Sequence, residues 1–467
     1  MRAFGGADPR GVDPAGADSR GAGPEREVIV IGGGLAGIAA ALDCVAAGAR
    51  VTLVEVRRRL GGAAYSFERD GLRMDNGQHV FLRCCAAYRG LLARLGSEHG
   101  VVLQERLRIP VLSPGREPVV LRRGSLPAPL HLAGTLLRYR HLTFAQRLRA
   151  ARAALALGRL NPGDETLQRQ TLGEWLAAHG QGPDAVAALW DLVALPTLNL
   201  PAAQASLGLG AFVFRTGLLA SASAGDIGFH ERPLSETIAR PAAAALVEAG
   251  VQVRLGWRAE AIERGGAGLR VRGRSATDAP DTLDARTVIL AVPHQRAAGL
   301  LQAPAPAIAA GLRRLESSPI VNLHVVYDRP VCEHRFAAGV GTPVQYLFDR
   351  TAAGGAPPGC QYLAVSLSGA VREMAMSVRE LRELYLPALA ALLPRARRAR
   401  VESFLVTREH AATFRAVPGV ARLRPGTRTE VPGLVLAGAY TDTGWPATLE
   451  GAVLSGHAAA RAALEVL

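Results

Sequence analysis

The sequence predicts an α/β protein whose nucleotide-binding domain is split along the chain, with an α+β domain inserted into it. Three segments carry this expectation. Glu27-Val28-Ile29-Val30-Ile31 is a short β-rich run entering Gly32-Gly33-Gly34-Leu35-Ala36-Gly37, and the Ala-rich stretch from Ile38 to Ala47 follows at helical length. Arg50 to Glu55 is a second strand that ends on an acidic side chain and completes a βαβ unit. Near the other end, Leu434 to Ala437 reads as a core strand leading into Gly438-Ala439-Tyr440-Thr441-Asp442-Thr443-Gly444-Trp445-Pro446-Ala447-Thr448. Glycine, proline and hydroxyl groups in that span bring backbone close to a bound ring or phosphate before a small-residue helix begins. A dinucleotide is therefore expected between the two ends of the chain.

Each glycine of Gly32-x-Gly34-x-x-Gly37 has its own task. The first permits a tight turn, the second lets backbone approach a pyrophosphate, and the third lets helix and sheet pack closely. Leu35 and Ala36 lie between them and belong to the same cofactor-contacting set. Glu55 sits where a carboxylate accepts hydrogen bonds from ribose hydroxyls and repels a 2′-phosphate. FAD is favoured over NAD by Leu60-Gly61-Gly62 and by Asp75-Asn76-Gly77-Gln78-His79, since a second glycine pair brings another loop to the cofactor and the polar run offers donors to a flavin edge or a substrate.

The expected organisation is discontinuous. Residues 1–24 read as a disordered leader without the apolar stretch of a secretory signal. Cofactor-domain segments are expected at 25–110, 226–303 and 425–467. A mainly helical cap is expected at 111–225, and the rest of the substrate domain at 304–424. Within these, helices are expected at Tyr88 to Leu95, Thr171 to Leu195, Glu231 to Ala249 and Val371 to Leu393, and short strands across 101–126. Strands are also expected at 250–255 and 287–293, returning to the first sheet, and at 321–327 and 361–367. Leu130 to Leu160 alternates Leu with Arg, His and Tyr at helical spacing, a pattern suited to a bilayer surface. Ala203 to Ala220 is suited to walling an apolar cavity.

At 467 residues and 49% apolar, the chain can bury an enzyme-sized core in two domains. The apolar run Val28 to Leu42 is too short to span a membrane and contains the glycine motif. Cys44, Cys84, Cys85, Cys332 and Cys360 form an odd set without metal-ligand spacing, which fits reduced thiols in the cytoplasm and no metal site. The net charge of +14 lies mostly on scattered arginines without aromatic interleaving, so nucleic acid is not an expected partner. Peripheral contact with an anionic membrane, at the inner face of the cell membrane, is.

The glycine motif, the LGG run followed by Tyr65-Ser66-Phe67, Asp75 to His79, Thr407-Arg408-Glu409-His410-Ala411-Ala412-Thr413-Phe414 and the run from Gly438 to Gly456 together resemble the hydroxysqualene dehydroxylases. These are squalene-associated flavoenzymes of the phytoene desaturase and amine oxidase superfamily. The resemblance covers roughly residues 26 to 467. It implies an FAD-binding Rossmann-like domain of the glutathione reductase and amine oxidase type with an inserted α+β substrate domain. The activity implied is reductive removal of the hydroxyl of hydroxysqualene, giving squalene for hopanoid synthesis, with a long-chain isoprenoid as substrate and an electron donor that the sequence does not identify. An oxidative carotenoid-type desaturase is the alternative enzyme, and a non-catalytic flavin-fold scaffold is the alternative of another class. An amine oxidase is disfavoured by an aromatic content of only 5%.

The resemblance further implies that Gly32, Gly34 and Gly37 flank the pyrophosphate and that Glu55 holds the adenosine ribose. Gly61, Gly62 and Gly77 lie along the cofactor, while Gly438, Thr443, Gly444, Pro446, Ala447 and Thr448 close over its ribityl and ring portion. Asp442, His79 and Glu450 are the candidates for proton delivery. Two positions depart from the family pattern: Ala63 stands where many relatives carry Arg, and Ala439 where they carry Asp.

Overall fold

The computed structural model describes residues 26–266 and 268–467, so the leader expected at 1–24 lies outside the described residues. Five strands, β1 (Glu27–Ile31), β2 (Arg50–Glu55), β3 (Gln252–Leu255), β4 (Thr287–Leu290) and β5 (Leu434–Leu436), form one parallel sheet in the order β3-β2-β1-β4-β5. Strands distant in sequence thus sit side by side. β1 and β4 are buried along almost their whole length, which accounts for their continuous apolar sequences.

Helix α1 (Leu35–Ala46) lies against this sheet and against the C-terminal helix, and small residues set the distance between them. A Cβ at Gly37 would fall 1.9 Å from the Gly32 carbonyl oxygen, and one at Gly456 would fall 2.3 Å from the Ala36 carbonyl oxygen. Both approaches are possible only without a side chain. Helix α2 (Ala86–Arg94) packs on the same layer.

The inserted domain is built on a seven-stranded sheet in the order 401–414, 317–327, 361–368, 346–349, 336–339, 108–112, 119–122. Its last two strands precede the cap helices in sequence, and 108–112 pairs parallel with 336–339. The strands expected at 321–327 and 361–367 are adjacent and antiparallel. Helix 378–392, started by a Ser377–Glu380 capping box, covers one face of the sheet.

Four expected helices differ in detail: Val371 to Leu393 is split at Met376-Ser377 into Val371–Ala375 and Val378–Leu392, and Thr171 to Leu195 is broken after Ala178 and resumes at Pro183. Leu130 to Leu160 is interrupted: α3 (Ala133–Arg138) stops before Tyr139, and α4 (Phe144–Arg159) restarts at Thr143, whose side chain forms a capping box with Gln146. The helix expected from Glu231 begins only after Pro233. Ile227–His230 is instead a strand, and the Glu231 N–H extends the pairing to the Gly100 carbonyl at 3.0 Å. Among the described residues no helix is long and apolar enough to cross a membrane.

The Gly37 approach yields a stability prediction. Gly37→Ala should destabilise by about 1 to 3 kcal/mol because the added methyl must push α1 off the sheet. Gly90→Ala, in α2 with nothing within 4 Å of the new atom, should be neutral or slightly stabilising. Urea unfolding of both variants against the parent measures this, and equal midpoints for all three would refute it.

Candidate functional site

Two backbone loops meet at the open end of α1. The Gly32 N–H is held by the Val54 carbonyl at 2.8 Å, and the Gly61 N–H by the Gly33 carbonyl at 2.9 Å. Gly62, at φ +59°, lies so close that a Cβ there would be 2.8 Å from Gly34 Cα. Gly34 caps α1 without a side-chain hydrogen bond, leaving the first-turn N–H groups at Leu35 and Ala36 facing an anion-favouring end. Glu55, 8% exposed, accepts from Gly33 N at 2.7 Å and Arg57 N at 2.8 Å, one bond per oxygen. Each oxygen keeps capacity for a ribose hydroxyl.

The Asp75 to His79 run begins at the end of strand 72–75 and lies against the inserted domain. Asn76 side-chain oxygen accepts from Tyr65 N at 3.1 Å, and its amide donates to Ala63 O at 2.9 Å and to Glu409 Oε1 at 3.0 Å. Tyr65 hydroxyl donates to the same Glu409 oxygen at 3.0 Å, and Asn322 Nδ2 donates to Asn76 O at 2.9 Å. Asp75 is an anchor, accepting from Ser66 Oγ at 2.6 Å, Leu234 N at 3.0 Å and Arg350 Nη2 at 2.6 Å. His79 is partly buried. Burial pushes its imidazole below the usual range against the opposing pull of Asp75 and Glu409, and its Nε2 lies near Gly77.

The terminal loop is held from beneath by Arg424, 6% exposed, which donates to the Tyr440, Thr441 and Trp445 carbonyls and stacks on Phe414 at 4.9 Å. Gly438 has φ +139° and donates to Ser455 Oγ at 2.8 Å. Thr443 Oγ1 accepts from Trp445 N at 3.3 Å, Pro446 is buried, Ala447 is partly buried, and Thr448 caps the C-terminal helix α5 (Leu449–Leu464) by accepting from Gly451 N at 3.1 Å. The Trp445 ring meets the Phe212 ring edge to face at 5.1 Å, which joins the cap to this loop.

The three proton-delivery candidates are placed very differently. Asp442 is exposed, beside the exposed Gly444, whose N–H it accepts at 3.3 Å. Glu450 is 3% exposed and faces away from the loop into α2, where it accepts from Ala87 N at 2.9 Å and Tyr88 N at 2.7 Å. It serves as the N-terminal cap of that helix and not as a source of protons. Of the three, His79 alone lies in the Asn76 network region.

The loops around the α1 N-terminus and the Asn76 network carry unsatisfied polar atoms. Arg59 Nη2, Gln78 Nε2, Asn322 Oδ1 and Tyr440 OH are buried without a hydrogen-bond partner among the described residues. All four belong to the loops and strands that converge here, and a ligand with carbonyl, imide, phosphate and hydroxyl groups offers what they lack. The residues fit FAD. Glu409, Asn322, Arg350 and Arg424 were not singled out from the sequence. Glu409 lies within the run quoted for the resemblance, whereas Arg424 carries no local signal, because its partners are backbone carbonyls.

Two buried histidines flank the site. His230 is hydrogen-bonded to Tyr88 OH at 3.0 Å and Thr237 Oγ1 at 2.8 Å, and His324 to Tyr362 OH at 2.6 Å. Burial, reinforced by His79 and then Arg350 at His230 and by Arg350 at His324, pushes them from 6.5 down to about 3 and about 4 respectively. The unfolded chain therefore binds protons that the folded one refuses. The stability they contribute is complete above pH 6.5 and is lost as pH falls toward their folded values, by about 2 kcal/mol per histidine at pH 5. Urea midpoints at pH 7 and pH 5 should show this fall, and His324→Asn should roughly halve it, leaving the His230 share; a parent midpoint unchanged between the two pH values would refute the account.

Comparison with known proteins agrees with this geometry. Residues 35–464 match the model of flavin-containing amine oxidoreductases. The chain is 30% identical to the hydroxysqualene dehydroxylase of Rhodopseudomonas palustris over 93% of its own length and 97% of the relative's. It is 24% identical to the 15-cis-phytoene desaturase of Solanum lycopersicum over 94% of its length and 78% of that protein's. Among solved structures, putrescine oxidase superimposes with a TM-score of 0.72 at 19% identity, covering 94% of this chain and 99% of that one, a likeness of fold. The fold is the amine-oxidase-type FAD-binding Rossmann-like fold with an inserted substrate domain. The chain belongs to the flavin-containing amine oxidoreductase family and is an FAD-dependent oxidoreductase related to the hydroxysqualene dehydroxylases and carotenoid desaturases.

Proposed function

We propose that this enzyme removes the hydroxyl of hydroxysqualene reductively, giving squalene. The carrying observation is the match to the Rhodopseudomonas palustris hydroxysqualene dehydroxylase, which extends through the inserted domain as well as the cofactor domain. In the reaction a C–O bond breaks, a C–H bond forms, and the hydroxyl leaves as water after taking up a proton. The hydride for the new C–H bond is the chemistry that bound, reduced FAD supplies, with an external donor restoring the two electrons.

The chain's own residues bind, orient and exclude water. Glu55 holds the ribose, the α1 N-terminus and Gly34 face the diphosphate, and Gly61, Gly62 and Gly77 line the path of the cofactor. Gly438, Thr443, Gly444, Pro446, Ala447 and Thr448 close over it. Asn76, fixed by Glu409 and Asn322, orients the polar edge of the site. His79 is the group we assign to hydrogen-bond the departing hydroxyl, as the neutral imidazole that burial favours. The exposed Asp442 gains nothing from exclusion of water. The phytoene desaturase match supports a second reading, oxidation of a long polyisoprenoid hydrocarbon on the same frame.

A substrate of this kind resides in lipid, and one face of the cap suits an anionic bilayer. Between residues 118 and 163 the chain carries eight arginines and no Asp or Glu. Leu126, Leu130, Leu137, Phe144, Leu148 and Leu155 in this stretch are between 47% and 71% exposed. Leu148, Arg152, Leu155 and Arg159 share the outer face of α4, where apolar side chains can enter the acyl boundary while guanidinium groups meet phosphate.

Two measurements test these proposals. Anaerobic mixing of the reduced, FAD-loaded enzyme with hydroxysqualene should give flavin reoxidation matched by squalene; a reducible bound flavin with no squalene would move the assignment to the desaturase reading. In vesicle sedimentation the parent should bind phosphatidylglycerol-containing membranes better than pure phosphatidylcholine, and the double variant Leu148→Glu with Leu155→Glu should lose at least about tenfold in binding. Equal binding of parent and variant would remove α4 as the docking face.

A further inference from the structure

We propose that Arg59 is the cationic contact to the FAD diphosphate in this chain. The inference rests on the FAD reading of the site and assigns to it a residue outside both glycine motifs. Arg59 Nη1 donates to the Gly62 carbonyl at 3.1 Å, which fixes its guanidinium on the second glycine loop. That loop lies against Gly34, the cap of α1, which ties the guanidinium to a loop packed on the helix end that itself favours an anion. The Tyr65 ring holds it from one side, 3.8 Å from the guanidinium carbon, and Tyr65 is in turn held by Glu409.

The other end of the fork is unspent. Nη2 is buried and has no hydrogen-bond partner, and Arg59 forms no ion pair among the described residues. An arginine does not shed its charge, so a buried, unpaired guanidinium nitrogen calls for an acceptor that the protein alone does not provide. Burial, and after it the neighbouring Arg57, act against the charge, while Tyr65, Glu55 and Glu409 nearby offset them only in part, so the guanidinium charge is left disfavoured where an anion would restore it. A diphosphate seated at the α1 N-terminus meets it, and the forked geometry suits phosphate oxygens. Ala63, at the second glycine pair, offers only a methyl group and a carbonyl already engaged by Asn76.

The test is FAD binding to the full-length apoprotein, read by flavin fluorescence and by the FAD-induced shift in melting temperature, neither of which depends on turnover. Arg59→Met should weaken FAD affinity by about tenfold or more, the scale of a charge-assisted contact. Arg57→Met, an exposed neighbour, should change it far less. Arg59→Met combined with Ala63→Arg should recover most of the loss, because a cation is returned to the same loop. If Arg59→Met does not fold, Arg59→Gln, which keeps donors and drops the charge, reads the same quantity. Affinity within twofold of the parent, or a loss that Ala63→Arg does not recover, would overturn the assignment and leave Arg59 as a support for the Tyr65 ring. A parent that takes up no FAD would instead overturn the cofactor reading, and this assignment with it.

Discussion

The structure depends on close backbone approach at the N-terminus of α1. Gly37 lets the helix lie on the carbonyl of Gly32, Gly456 lets α5 cross over Ala36, and Gly62 lets a second loop touch Gly34. These contacts bring segments from opposite ends of the chain to one point. The open helix end then becomes the natural seat of an anion, since its N–H groups have no partners within the helix. The same closeness excludes side chains from the place where phosphate chemistry needs backbone.

A second constraint joins the two domains. Asp75 takes a hydrogen-bonded ion pair from Arg350 of the inserted domain, and Asn76 is gripped by Glu409 and Asn322 from the same seven-stranded sheet. Every group in this junction is buried or partly buried, and a buried charge is tolerable only when it is paired. The junction therefore tolerates little variation in how the domains sit. It also explains why polar residues here group around a gap with unspent donors and acceptors, whereas the cap core around Trp175, Trp190 and Phe214 is apolar.

On the function proposed above, the cap gives this frame a relation to lipid. Its buried side is a packed helical core, and its outer side carries leucines, a phenylalanine and arginines with no acidic group among them. An enzyme acting on a C30 isoprenoid gains from such a face because its substrate partitions into the bilayer. On this view the basic character of the chain is partly local and functional.

The nucleotide end was legible because it is local: strand, glycine motif, helix and acidic strand end lie within about 30 consecutive residues, and their periods differ enough to read. The last core strand, Leu434–Leu436, was legible for the same reason. The break between α3 and α4 was less visible, although Thr143 and Gln146 carry a capping pattern, because the apolar periodicity runs across it. Glu450 shows the limit more sharply. Its sequence position places it in the first turn of α5, but only the fold shows that its carboxylate caps α2, a helix more than 350 residues earlier in the chain. Arg424 and Arg59 act through backbone carbonyls, which carry no residue identity and leave no pattern to find. The sequence by itself determined the nucleotide fold and the presence of an inserted domain, because short-range spacing dictates backbone conformation. The tertiary structure alone decided which charged groups face the cofactor gap and which are spent as caps and ties, because that depends on contacts between segments far apart in the chain.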